Sequence, residues 1–151
     1  MREDSCIVVP MDGSETSILA MDTALNLAQV LDVKIFFLHA AYFDSSTDDD
    51  SDSWLPDIVT VSVGDMIEDV RRVVEERLPK EIRAEFVERV GDPAKVVVDF
   101  AREKKAGLIV IGARGLSTME GFFMGSVSQE VMETADCAVL IIKQQKEAFS
   151  W

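Results

Sequence analysis

Only two cysteines, Cys6 and Cys137, occur in the 151 residues, and neither has a close partner in the chain. That argues against a metal knuckle or a CxxC redox motif and leaves both as reduced packing residues. There is one histidine, His39, with no serine or cysteine placed beside it for nucleophilic catalysis. Basic residues are few: 15 Lys and Arg stand against 28 Asp and Glu, a formal net charge of −13. Recognition of a phosphate backbone rests on clustered cations, so this balance argues against nucleic acid as a partner. No apolar run approaches the roughly 18 residues of a membrane span, and stretches such as Ala138 to Ile142 are far shorter. The opening MREDSCIVV puts acids ahead of a short apolar run, unlike a secretory leader, and points to the cytoplasm. At this length, with 48% hydrophobic residues, one domain spanning 1–151 with a single core is expected.

What is present is an alternation of β-branched runs with segments of helical period. Cys6 to Pro10, Val33 to Ala40, Arg83 to Val90, Gly107 to Ile111 and Ala138 to Lys143 read as strands, the third as a partly exposed edge. Ser14 to Leu31 reads as a helix. Val59, Val63, Ile67, Val70, Val74 and Leu78 mark one face of a second, ended by Pro79. Gly91-Asp92-Pro93 gives a turn, an N-cap and a first-turn proline, opening a third helix to about Lys104, and Ser126 to Thr134 is the fourth. Such alternation predicts an open parallel α/β sheet of five strands with helices on both faces. One segment breaks the rhythm: Asp44 to Ser53 holds five aspartates in ten residues and predicts an acidic loop over about 44–56. Asp48, Asp50 and Asp52 have the first three spacings of an EF-hand loop. Ser53 and Val59 stand where glycine and a bidentate Glu are required, so no metal site is assigned.

Open α/β sheets bind ligands beyond the carboxyl ends of their strands, where the strand order reverses. An order of 3-2-1-4-5 makes strands one and four neighbours and brings Pro10 to Ser14 opposite Gly112 to Gly115. That order is the expectation here. The glycine-rich stretch GARGLSTMEGFFMGS (Gly112 to Ser126) ends at the start of the fourth helix, where free N–H groups and the helix dipole favour an anion such as phosphate. Neither a Walker lysine nor a G-x-G-x-x-G fingerprint is present, and no catalytic base is evident. Binding is therefore expected over hydrolysis, with no catalytic residue assigned.

Gly112-x2-Gly115-x9-Gly125-Ser126, together with VVPMDGSETS, FFLHA and VGDPAKVVVDFA, resembles the ATP-binding signature of the universal stress protein family over nearly the whole chain. The resemblance implies the 3-2-1-4-5, adenine nucleotide alpha hydrolase-like sheet. It implies nucleoside contact by Asp12 with Pro10 and Met11 at the same wall, and a backbone contact to adenine from Ala40. It places Gly112 and Gly115 along the ribose and phosphates, Arg114 between them, and Gly125, Ser126, Val127 and Ser128 around the phosphates. It also implies ATP, or AMP or ADP, as ligand, and a homodimer through the fifth strand, Ala138 to Lys143. Glu120-Gly121 stand where many nucleotide-binding members carry basic or amide residues, so Mg²⁺ is expected to assist a triphosphate. A stress-linked binding module is the first expectation. A weak ATPase or self-phosphorylating enzyme using Ser126, Ser128 or Thr118 is the second, and a nucleotide-free interaction dimer the third.

Overall fold

The computed structural model describes residues 4–41, 68–113 and 125–144. Five parallel strands, β1 (Cys6–Pro10), β2 (Lys34–Ala41), β3 (Ala84–Val90), β4 (Leu108–Gly112) and β5 (Ala138–Ile142), form one sheet in the order β3-β2-β1-β4-β5. The helices are α1 (Glu15–Leu31), α2 (68–77), α3 (Pro93–Glu103) and α4 (Ser126–Thr134). The strand order is the expected one, and element boundaries fall within about a residue of those read from the sequence. Of the second helical face, Val59, Val63 and Ile67 lie outside the described residues, as do the acidic loop and the segment from Arg114 to Met124.

Side chains alternate across the central strands, and each parity feeds a separate apolar layer. Ile7, Val9, Ile35, Phe37 and Val110 pack with Ala20, Met21, Ala24, Leu25 and Ala28 of α1 and with Val70 and Val74 of α2. Val8, Phe36, Leu38, Ile109 and Ile111 pack on the other face with Val97, Val98, Phe100 and Ala101 of α3 and Val131 of α4. A strand buried on both faces needs a continuous apolar run, which is why CIVV and LIVI carry no polar residue. Cys6 and Cys137 join the second layer as free thiols, and burial raises both thiol pKa values. β3, paired only with β2, is half exposed along its length. β5 forms the opposite edge, and its Leu140 is 37% exposed.

The helix starts follow local chemistry. Ser14 caps α1 by accepting from the Ser17 N–H, and Asp92 caps α3 by accepting from the Lys95 N–H at 3.1 Å, with Pro93 in the first turn. The expected turn, cap and proline at Gly91 to Pro93 are thus structural. Packing is close where β4 ends. A Cβ on Gly112 would lie 2.5 Å from Thr16 Oγ1 and 2.7 Å from the Thr16 carbonyl carbon, so α1 begins directly against bare backbone.

Gly112→Ala must push the first turn of α1 away from β4, and overpacking of this kind costs about 1–3 kcal/mol. Urea denaturation is expected to show that loss with an unchanged m-value; unaltered stability would mean that α1 does not press on β4 here.

Candidate functional site

At the carboxyl ends of the strands, the β1–α1 connection turns toward one face of the sheet and the path from β4 to α4 toward the other. β1 and β4 pair directly, Ile7 with Leu108 and Val8 with Ile109, so their exits are adjacent at the reversal of strand order, the place where open α/β sheets take up ligands in a crevice. The Met11 N–H donates to the Leu38 carbonyl at 2.8 Å, extending β1 by one bond beyond its last strand residue and fixing Asp12 beside the end of β2. Gly13 follows with φ of +82°, a conformation that L side chains rarely adopt, and it reverses the chain into α1.

Asp12 is half-buried and spends one carboxylate oxygen on the Ser14 N–H, at 2.9 Å. Helix capping is the work of Ser14, so Asp12 stands before the helix start. Among the described residues, the second oxygen of Asp12 has no hydrogen-bond partner. Pro10 and Ala40 are half-buried at the tops of neighbouring strands, and Met11 is buried in the layer beneath α1.

On the β4 side, Ala113 and the start of α4 are joined by a neck of hydrogen bonds. The Ala113 carbonyl accepts from the Gly125 N–H at 2.6 Å and from Ser128 Oγ at 3.0 Å, while the Ala113 N–H donates to the Ile142 carbonyl at 2.8 Å. Two sequence expectations change as a result. The Gly125 N–H, expected to be free for a ligand, is occupied by Ala113. The Ser128 hydroxyl, only 2% exposed, is likewise engaged at the neck. What α4 retains is the backbone N–H groups of Ser126, Val127 and Ser128, which have no acceptor within a helix that begins there, and Gly125 brings no side chain to cap them. Ser126 is exposed and Val127 half-buried.

Gly112 sits between the two halves, but its bare backbone faces Thr16 and Ser17, which gives its lack of a side chain a packing reason independent of any ligand. Arg114 and Gly115 lie outside the described residues. A residue that the sequence reading left out of the site is His39: it is 5% exposed, and Asp12 acts on its charge. Its signal was present, as the only histidine, at a strand end on the crevice side of the sheet. Among the described residues, no group of three or more His, Cys, Asp or Glu could hold a metal, and no helix is long and apolar enough to cross a membrane.

The arrangement offers an anion a set of fixed dipoles and offers a sugar or base a carboxylate oxygen. It presents no nucleophile–base pair among the described residues. Comparison with known proteins finds a matching family. The universal stress protein family matches residues 6–143. Universal stress protein MJ0531 of Methanocaldococcus jannaschii is 32% identical over 93% of this chain and 83% of its own. Universal stress protein YxiE of Bacillus subtilis is 32% identical over 91% of this chain and 97% of its own. Among solved structures, a universal stress protein in complex with cAMP is 26% identical, with a TM-score of 0.65 over 92% of this chain and 96% of that one. One from Archaeoglobus fulgidus in complex with dAMP is 26% identical, with a TM-score of 0.64 over 92% and 98%.

Ser128→Ala removes one of the two donors to the Ala113 carbonyl while Gly125 keeps the other. The expected cost is about 1 kcal/mol in thermal or urea unfolding. A neutral substitution would show that Ser128 does not hold the neck.

Proposed function

We infer that this chain, which belongs to the universal stress protein family, is an adenine-nucleotide-binding regulator whose ligand lies across the β1–β4 crevice. One observation carries the reading: the first-turn N–H groups of α4, which have no acceptor within their helix, and the Asp12 carboxylate oxygen that has no partner among the described residues belong to elements joined at a single strand pair. Phosphates fit the first and a ribose or base fits the second. The cAMP and dAMP complexes of relatives support the same ligand class.

ATP is the proposed ligand, with ADP or AMP as shorter alternatives, and Mg²⁺ offsets the charge of a triphosphate in a chain of net charge −13. Binding rather than turnover is proposed, because Ser128, a candidate phosphate acceptor, already donates its hydroxyl to Ala113. The protein acts in the cytoplasm, without nucleic acid as a partner. It works as a homodimer joined along β5, the edge at which Leu140 is exposed and where an uncovered strand would invite uncontrolled pairing.

Mass spectrometry of the purified protein, followed by incubation with ATP, tests the ligand and its fate. Retained or loadable ATP that stays ATP is expected; steady release of ADP would make the protein an enzyme, and a crevice that cannot be loaded would overturn the reading. Gly125→Val places a branched side chain at the mouth of the phosphate cup. Because φ there is −60°, the substitution is compatible with the backbone. Nucleotide affinity is expected to fall about tenfold or more with the unfolding midpoint nearly unchanged; undiminished affinity would remove α4 from the site.

A further inference from the structure

His39 is a buried imidazole, 5% exposed, whose Nδ1 is left without a hydrogen-bond partner among the described residues. Buried polar atoms are almost always paired, and one left alone at the rim of a crevice calls for a reason. Its position is closely defined. His39 pairs in register with Glu88 of β3. It follows Leu38, whose carbonyl holds Met11, so Asp12 comes next to it from the other side. By strand alternation its ring lies on the same face as Ile35 and Phe37, under α1 and α2.

The charged groups acting on the ring are both acidic, Glu88 from β3 and Asp12 from the β1–α1 connection. On α2, the cation of Arg71 is stacked 4.9 Å above the Phe86 ring, two residues earlier on β3 than Glu88. At the start of α1, Glu15 is engaged by Gln144 at 3.0 Å. Burial outweighs the two carboxylates and lowers the imidazole pKa from its ordinary 6.5, so the ring is neutral at pH 7. The opposing terms are a dry site against two nearby negative charges, and a further negative charge in the crevice shifts the balance toward the protonated ring.

We propose that His39 takes up a proton when an anionic nucleotide occupies the crevice, so that the site holds its ligand more tightly as the solution becomes acidic. The inference rests on the nucleotide reading above and adds its regulation. Linkage makes the effect reciprocal: ligand raises the affinity of His39 for a proton, and the proton raises the affinity for ligand by the same factor. His39 is the only histidine in the chain, so no other side chain with an ordinary pKa near neutrality competes for the assignment. The sign for the empty protein is opposite. With its folded pKa below 6.5, His39 favours unfolding as pH falls through 6.5, at a slope that bound nucleotide reduces.

The test is isothermal titration of the whole protein with ATP in saturating Mg²⁺ and with cyclic AMP, ligands whose charge is constant across the range. Titrations run from about pH 8 to about pH 5.5, which brackets the ordinary histidine value, in buffers of differing ionisation enthalpy. The expected result is an affinity gain of about fivefold toward acid pH, with uptake of a fraction of a proton near pH 6.5 that disappears in His39→Gln. His39→Asn, which returns an amide to the position of Nδ1, serves as the second variant, and unfolding at about pH 8, where the wild-type ring is neutral, checks that both fold. Binding that is independent of pH, weaker in acid, or equally proton-linked in the variants would overturn the proposal while leaving nucleotide binding intact. Failure of the folded wild-type protein to bind either ligand at any pH would instead overturn the nucleotide reading, and this inference with it.

Discussion

The absence of a side chain at Gly112 is the constraint on which the rest of the molecule depends. α1 begins so close to the end of β4 that a single carbon on Gly112 would collide with the Thr16 backbone. β1 delivers the chain into α1, and β4 delivers it toward α4, so this contact ties the two exits of the reversal point to each other. Met11 then anchors on Leu38, Ala113 on Ile142 and Gly125 on Ala113. Each of these bonds continues a strand ladder or closes a loop one step beyond the sheet. The chain exits at the reversal point are therefore held by main-chain bonds.

This construction suits an anion site in a strongly acidic protein. The cations of the described residues are largely committed at the periphery, as in Lys34 with Glu85, Arg77 with Asp22 and Arg102 with Asp136. Those pairs are exposed and contribute little to stability. On the proposed reading, attraction for a phosphate comes instead from oriented amides at the start of α4, whose partial charges need no counter-ion and do not titrate. Such dipoles act over a short range, which places the burden of binding on close fit at Ser126 to Ser128. The Asp12 carboxylate has one oxygen occupied by the Ser14 N–H.

Much of this was legible in the sequence. The two-sided burial of CIVV and LIVI and the capping order of Gly91-Asp92-Pro93 each state a local preference that the fold obeys. The strand order could be chosen because one order gave the glycine-rich stretch a place at the reversal. What the sequence hid was the disposition of individual hydrogen bonds. Gly125 and Ser128 look like ligand donors in one dimension, yet in three their N–H and hydroxyl meet the Ala113 carbonyl, more than ten residues back. Asp12 and Ser14 are equally good caps by type, and only the turn at Gly13 decides between them. The isolation of His39 is a property of its neighbours, Glu88 and Asp12, which come from other elements.

The account stands on the joining of Asp12 and the start of α4 in one receptor. Amide chemical-shift mapping of the isotopically labelled protein during nucleotide titration tests this directly. Residues Asp12 to Ser14 and Ser126 to Ser128 are predicted to shift together, with one shared dissociation constant. Shifts confined to one of the two segments, or following two separate binding curves, would contradict it.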